Sequence, residues 1–396
     1  MFGSVLRRYL QGAFILTMLA LLSLPIARQV PAGAPARPGE NRSLAPLPAL
    51  PRNVAALHAW PEAMDLFLQD HFGLRNQLVD WNDQLLFRVF GQFASAQILT
   101  GQNGRIFLAS HIAGEANRNS LIYQSCGVQQ PEATLDRIAS GWAELLARTA
   151  GSAPDTRAVI VPSSAALYPE QLPPWLARLC ASGRRMTAAV KERLPADLRD
   201  RFIDPYPVLA GLGSAKPAIP RRNFHWAGVG PLHTAAWVAE AVLGRAPAPA
   251  LPGQDAMMPS DLSGFFPGLS LTQPIFEADY AAAHIAPCLG YPCFTELDGD
   301  EPVLLDVRKY RNANATGRLL LLTDSYGAFV AGGFAPYFAE VWQLSINDLP
   351  LLSPESRARL HAHLITEFAP DVVLLLFHDG SATYMADRLL RQFYLQ

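Results

Sequence analysis

The stretch "RLLLLTDSYG" (Arg318–Gly327) decides the fold. Four consecutive leucines suit a strand that is buried on both faces of a sheet. Thr-Asp-Ser-Tyr-Gly then breaks the run with turn-forming residues. Two other runs share this character, "RAVIV" (Arg157–Val161) and "DVVLLLF" (Asp371–Phe377). Around and between them lie helical patterns: "PEATLDRIASGWAELLARTAG", "GPLHTAAWVAEAVLG" and "SPESRARLHAHLITEFA". Ser353, with Glu355 and Ser356 behind it, is a start signal for the last of these. Short apolar strands alternating with helices predict a three-layer α/β domain, with a parallel sheet and helices on both faces.

In open α/β sheets, sites form beyond the carboxyl ends of the strands. Three pairs of polar residues fall at such ends: Asp324-Ser325, His378-Asp379 and Ser163-Ser164. A serine hydroxyl attacks only when a neighbouring base takes its proton. The base is most often histidine, held in its working tautomer by a partner on its other nitrogen. "RRNFHWAGVG" (Arg221–Gly230) offers such a group about a hundred residues before Ser325. Asn223 and His225 are two residues apart, so on an extended stretch their side chains point the same way. Trp226 is placed to wall the ring, and Gly228 and Gly230 allow a tight turn into the next helix.

The composition narrows the function classes. Half of the 396 residues are apolar, and the formal net charge is −2. A basic footprint is missing, which excludes nucleic acid as the expected partner. Arg7 and Arg8 precede an apolar run from about Tyr9 to Ala27. A run of about 20 apolar residues can cross a bilayer, whereas a secretory core is usually shorter. Residues 1–29 are therefore read as a signal peptide or a membrane anchor. The lack of a good small-x-small cleavage site favours the anchor, with the remainder exported. Residues 30–60, rich in Pro and Ala, read as an extended tether. Residues 61–100 read as a helical lead-in that starts at Pro61 and is interrupted at Gly73. Residues 101–396 form the α/β domain.

The four cysteines fit an exported chain. Cys288 and Cys293 share a short Pro/Gly loop and are paired here, which leaves Cys126 with Cys180. No histidine or second cysteine pair stands at zinc spacing, so neither a metal nor another cofactor is expected.

Several blocks, in order, are similar to the AlgX/AlgJ family of SGNH-hydrolase-like proteins. They are "ENRSLAPLP" (Glu40–Pro48), "QDHFGLRNQLV" (Gln69–Val79), "ILTGQNGRIFL" (Ile98–Leu108), "VPSSAALYPEQLP" (Val161–Pro173), "NFHW" and "TDSYG". The resemblance implies an SGNH-hydrolase-like fold and O-acetylation of bacterial exopolysaccharide, such as alginate, in the periplasm. It implies Ser325 as the acyl-accepting nucleophile and His225 as its base. Asn223 then stands where the family has an aspartate. Arg105 falls in the place of a family tryptophan, and Ser164 in the place of a lysine. The acetyl group would come through a membrane-bound O-acyltransferase, beside the inner membrane. Arg222, Trp226 and Tyr326 are expected to bind the polysaccharide, the first through acidic groups and the aromatics through stacking.

Asn223 carries no charge, which leaves three readings. The enzyme is weak; another acid (Asp324, Asp379 or Asp204) replaces the missing one; or the chain is a polysaccharide-binding scaffold subunit that has lost catalysis. An acetyl esterase, with water as acceptor, uses the same covalent intermediate.

Overall fold

The computed structural model describes residues 11–20, 23, 44–111, 116–128, 130–149, 154–213, 216–244, 250–294 and 306–394. Most of the expected anchor (1–29) and the first part of the tether (30–43) lie outside them. Among the described residues no helix is long and apolar enough to cross a membrane.

The chain divides into two units. The smaller combines the segment up to Ala94 with Asp261–Leu271. Its helices are α1 (Val54–His71) and α2 (Arg75–Phe90). Helix α1 begins seven residues before the expected start at Pro61. Asn53 caps it by accepting the Ala56 N–H, and Pro61 is carried inside the helix. The cap satisfies an otherwise orphaned donor, and so fixes the start ahead of the proline. The break at Gly73 is where the sequence places it.

The larger unit, Ser95–Ser260 and Thr272–Gln396, holds the α/β domain. A hairpin of β1 (Ile98–Thr100) and β2 (Ile106–Leu108) leads to α3 (Ser120–Cys126) and α4 (Glu132–Thr149). Strands β3 (Asp155–Val161) and β4 (Phe202–Ile203) and helix α5 (Val229–Leu243) follow. A second hairpin pairs β5 (Gly253–Pro259) with β6 (Thr272–Ala278). Then come β7 (Ile285–Leu289), β8 (Val307–Asn312), β9 (Arg318–Thr323), α6 (Gly327–Phe334), β10 (Glu340–Ser345), α7 (Pro354–His361), β11 (Val372–His378) and α8 (Ala382–Leu389). The main sheet has the order β4-β3-β11-β9-β10-β8-β7. The first five strands are parallel; β8 runs antiparallel to β10, and β7 to β8.

The leucine run is buried on both faces because its side chains alternate between two cores. Leu320 and Leu322 join Val373, Leu375 and Phe377 of β11 on the face covered by α4, α7 and α8. Leu319 and Leu321 join Leu374 and Leu376 on the other face, under α5 and α6. Ser353 caps α7 as its sequence signals, accepting the Ser356 N–H at 3.1 Å. Strands β8 and β10 are not assigned from sequence, because Arg308, Lys309 and Gln343 interrupt their apolar pattern. Both disulfides form as paired above: Cys126–Cys180, joining α3 to helix Pro174–Ala181, and Cys288–Cys293.

Candidate active site

Strands β3, β11 and β9 are sheet neighbours, so their carboxyl ends bring the three polar pairs together. Their register places His378 beside Val161, and Leu376 beside Thr323. The turn after β9 is tight. A Cβ on Gly327 would stand 2.0 Å from Thr323 Oγ1, so only glycine lets α6 start there and leave Ser325 at the top of the turn.

Ser325 Oγ lies 2.9 Å from His225 Nε2, and both side chains are half-buried. The stretch that carries His225 is not a regular strand. Asn223 N–H donates to Pro220 O at 3.1 Å in a turn. Gly228 then takes φ +67°, where a Cβ would meet Ile275 and the Phe276 N at 3.2 Å. Asn223 is buried, and its Oδ1 accepts from Gln273 Nε2.

Two expected binding residues are corrected. Trp226 is completely buried and donates its indole N–H to Tyr326 O at 2.9 Å, so it offers no face to a sugar. Tyr326 is likewise buried, with its hydroxyl donating to Phe224 O at 2.8 Å. Periodicity could not reveal this, because the burial comes from a contact a hundred residues away. Together the two bonds bracket the histidine. The residue after Ser325 holds the residues on either side of His225. Tyr326→Phe removes the bond from its hydroxyl to the Phe224 carbonyl. It is expected to cost about 1–3 kcal/mol of stability, and to lower kcat with KM little changed; denaturation and steady-state kinetics read the two effects.

Asp324 anchors the turn from below. Its Oδ1 accepts the Tyr326 N–H at 2.9 Å. Its Oδ2 accepts from the His378 backbone N–H at 2.9 Å and lies 2.7 Å from His378 Nδ1. Burial pushes this carboxyl up, but His378 and the bonds to the His378 and Tyr326 N–H groups outweigh it and hold it below its usual range. Burial likewise opposes the charge on His378, and Asp324 overcomes it, so the imidazole sits above its usual range. The two form a buried acid–base pair. The His378 ring also stacks on Tyr326, with centroids 5.1 Å apart.

The acids considered as substitutes for a charged partner at His225 are each committed elsewhere. Asp324 faces His378. Asp379 accepts from the Ser125 hydroxyl and the Ser163 N–H. Burial pushes its pKa up, despite His378 and those donors. Asp204 pairs with Arg185 at 2.8 Å.

The donors near the nucleophile can be assigned. Tyr326 N–H is taken by Asp324 Oδ1, and Gly327 N–H by Asp324 O. Among the described residues no acceptor engages the Ser325 N–H, which leaves it for an oxyanion. Arg222 is exposed on a groove of about 450 Å³, shared with Lys216, Arg221, Asp255, Gln273 and Phe276. Arg105 does not stand idle in its unusual place. Its guanidinium lies 3.8 Å over the Tyr168 ring and donates to Ile219 O, tying down the loop ahead of His225. Burial pulls its pKa down to about 10. Among the described residues, no cluster of histidine, cysteine or acidic side chains could hold a metal ion.

No protein-family model matches the chain, and no curated protein matches it in sequence. Solved structures do. A DHHW family protein from Eubacterium siraeum DSM 15702 is 18% identical, over 66% of this chain and 89% of that one, with a TM-score of 0.46. The O-acetyltransferase domain of Pseudomonas putida AlgJ is 15% identical, over 72% and 92%, with a TM-score of 0.40. Bacillus cereus PatB1 is 10% identical, over 72% and 96%, with a TM-score of 0.45. These are likenesses in the course of the chain.

Proposed function

We propose that the protein is an exported O-acetyltransferase that works through an acetyl group carried on Ser325. The observation that carries this reading is the 2.9 Å approach of His225 Nε2 to Ser325 Oγ, at the carboxyl end of the sheet and beside an unengaged backbone N–H. Ser325 Oγ attacks the acetyl carbonyl of the donor while its proton passes to His225. The oxyanion is held by the Ser325 N–H. The intermediate collapses, the donor's leaving group departs with the proton from His225, and acetyl-Ser325 remains. A sugar hydroxyl then gives its proton to His225 and attacks the ester, which releases the acetylated sugar and restores the serine.

The similarity to AlgX/AlgJ proteins supports a polysaccharide acceptor, a membrane-bound O-acyltransferase as donor and a periplasmic location. Arg222, with Lys216 and Arg221 beside it, suits an acceptor with acidic groups. The test is acetyl transfer from a chromogenic acetyl ester, with acetyl-Ser325 sought by mass spectrometry. Turnover that rises with an oligosaccharide, with acetyl found on the sugar, supports transfer. Turnover indifferent to any oligosaccharide supports the esterase.

A second reading rests on Asn223: a scaffold that binds polysaccharide without turnover. Asn223→Asp separates the two. A carboxylate there still accepts from Gln273 and favours the protonated imidazole. The expected result is a rise in kcat of about tenfold or more. The acid limb of the pH–rate profile moves to higher pH, because the base must be neutral to act. A variant with neither change means that position 223 does not act on His225.

A further inference from the structure

Residues 222 and 223 are gripped by the end of the β5–β6 hairpin. Ser260, just after β5, donates its hydroxyl to Arg222 O. Gln273, the second residue of β6, is buried and accepts the Arg222 backbone N–H on Oε1 at 3.0 Å. Its Nε2 donates to Asn223 Oδ1 at 2.5 Å.

These contacts fix the orientation of two amides. A backbone N–H can only donate, so Gln273 must turn its oxygen to Arg222. Its NH₂ then faces Asn223, which must meet it with Oδ1. An amide oxygen has two lone pairs, so Oδ1 can accept a second N–H, and His225, two residues on, offers one when its Nδ1 is protonated. That matters because asparagine can equally present its NH₂, which would select the opposite tautomer. With Nδ1 protonated, His225 Nε2 is free to take the proton of Ser325, 2.9 Å away.

We propose that Gln273 is a positioning residue for the base. It orients the Asn223 amide and thereby holds His225 in the tautomer that accepts from Ser325. This rests on Ser325 and His225 acting as nucleophile and base. It explains how an uncharged residue serves at position 223: the hairpin dictates the direction of its dipole in place of a charge.

Gln273→Glu tests it at nearly constant size. Glutamate still accepts the Arg222 N–H but has no donor for Asn223, which must rotate to offer its NH₂. The expected kcat for ester turnover falls by about ten- to a hundredfold, as for the loss of comparable outer partners, while KM holds. In ¹⁵N–¹H spectra, His225 shifts from the Nδ1–H to the Nε2–H tautomer. Gln273→Met, which removes both bonds without adding charge, lowers kcat in the same direction and carries the test if the glutamate variant fails to fold. In Asn223→Asp the glutamate change places two carboxylates together, so the gain from aspartate is reversed. A folded Gln273→Glu variant with wild-type kcat and an unchanged His225 tautomer overturns the proposal. The spectra also separate this idea from the functional reading. If wild type lacks Ser325-dependent turnover yet Gln273→Glu still switches the tautomer, the reaction is wrong and the positioning role stands.

Discussion

Ser325→Ala is expected to lower acetyl release from a chromogenic ester by about 10⁴-fold or more, comparable to loss of the nucleophile in serine hydrolases. The size follows from the geometry. Ser325 and His225 act as one unit, so removing either leaves only what binding and the Ser325 N–H supply. His225→Ala should therefore be about as damaging, and the double variant scarcely worse than either single one. The acetyl adduct seen on wild type by mass spectrometry should be absent from Ser325→Ala. Equal turnover by wild type and Ser325→Ala excludes both transferase and esterase, and leaves the scaffold. Tyr326 and Trp226 are not in the reacting group, so Ser325→Ala should keep its fold, and circular dichroism checks that.

Asp324→Asn should have the largest effect on stability, about 3–5 kcal/mol, because it removes the buried carboxylate that faces His378. An amide cannot mend the loss. Asp324 accepts a backbone N–H on each of its oxygens, and Oδ2 also lies 2.7 Å from His378 Nδ1. An NH₂ in place of either oxygen sets donor against donor. The pH dependence follows from the two shifts. Asp324 lies below its ordinary 3.8, so its contribution is present above that pH and is lost as pH falls through the depressed pKa. His378 lies above its ordinary 6.5, so its contribution is complete below that pH and is lost as pH rises through the raised pKa. Wild type should be most helped by the pair between these limits. Asp324→Asn should flatten the profile of unfolding free energy against pH there. An unfolding curve as pH-dependent as wild type means that the pair is not ionised in the folded state.

How far the sequence could be read depended on the range of each interaction. Strands β3, β9 and β11 were legible because burial on both faces writes an unbroken apolar run, a purely local signature. Ser325 was legible because a turn directly after such a strand can point only to the sheet's edge. Strands β8 and β10 carry Arg308, Lys309 and Gln343, which break the apolar run, and the partners of Lys309 and Gln343 are distant in sequence. The roles of Trp226 and Tyr326 were hidden for the same reason. Each looks like a free aromatic until the other closes on it. Gln273 left no mark at all, since a single glutamine in "LTQPIF" says nothing until Arg222 and Asn223 arrive beside it. A histidine and an aspartate on neighbouring strand ends, His378 and Asp324, are placed to meet across adjacent parallel strands.

The bracket that Tyr326 forms around His225 also says when the site is assembled. Its partners Phe224 and Trp226 are 102 and 100 residues away. Closing a loop of that length costs about 4 kcal/mol in chain entropy, whereas each hydrogen bond returns only about 1 kcal/mol. The bracket is thus too weak to gather the chain, and can only lock what the sheet has already drawn together. Ester turnover should therefore reappear on refolding in step with formation of the whole sheet.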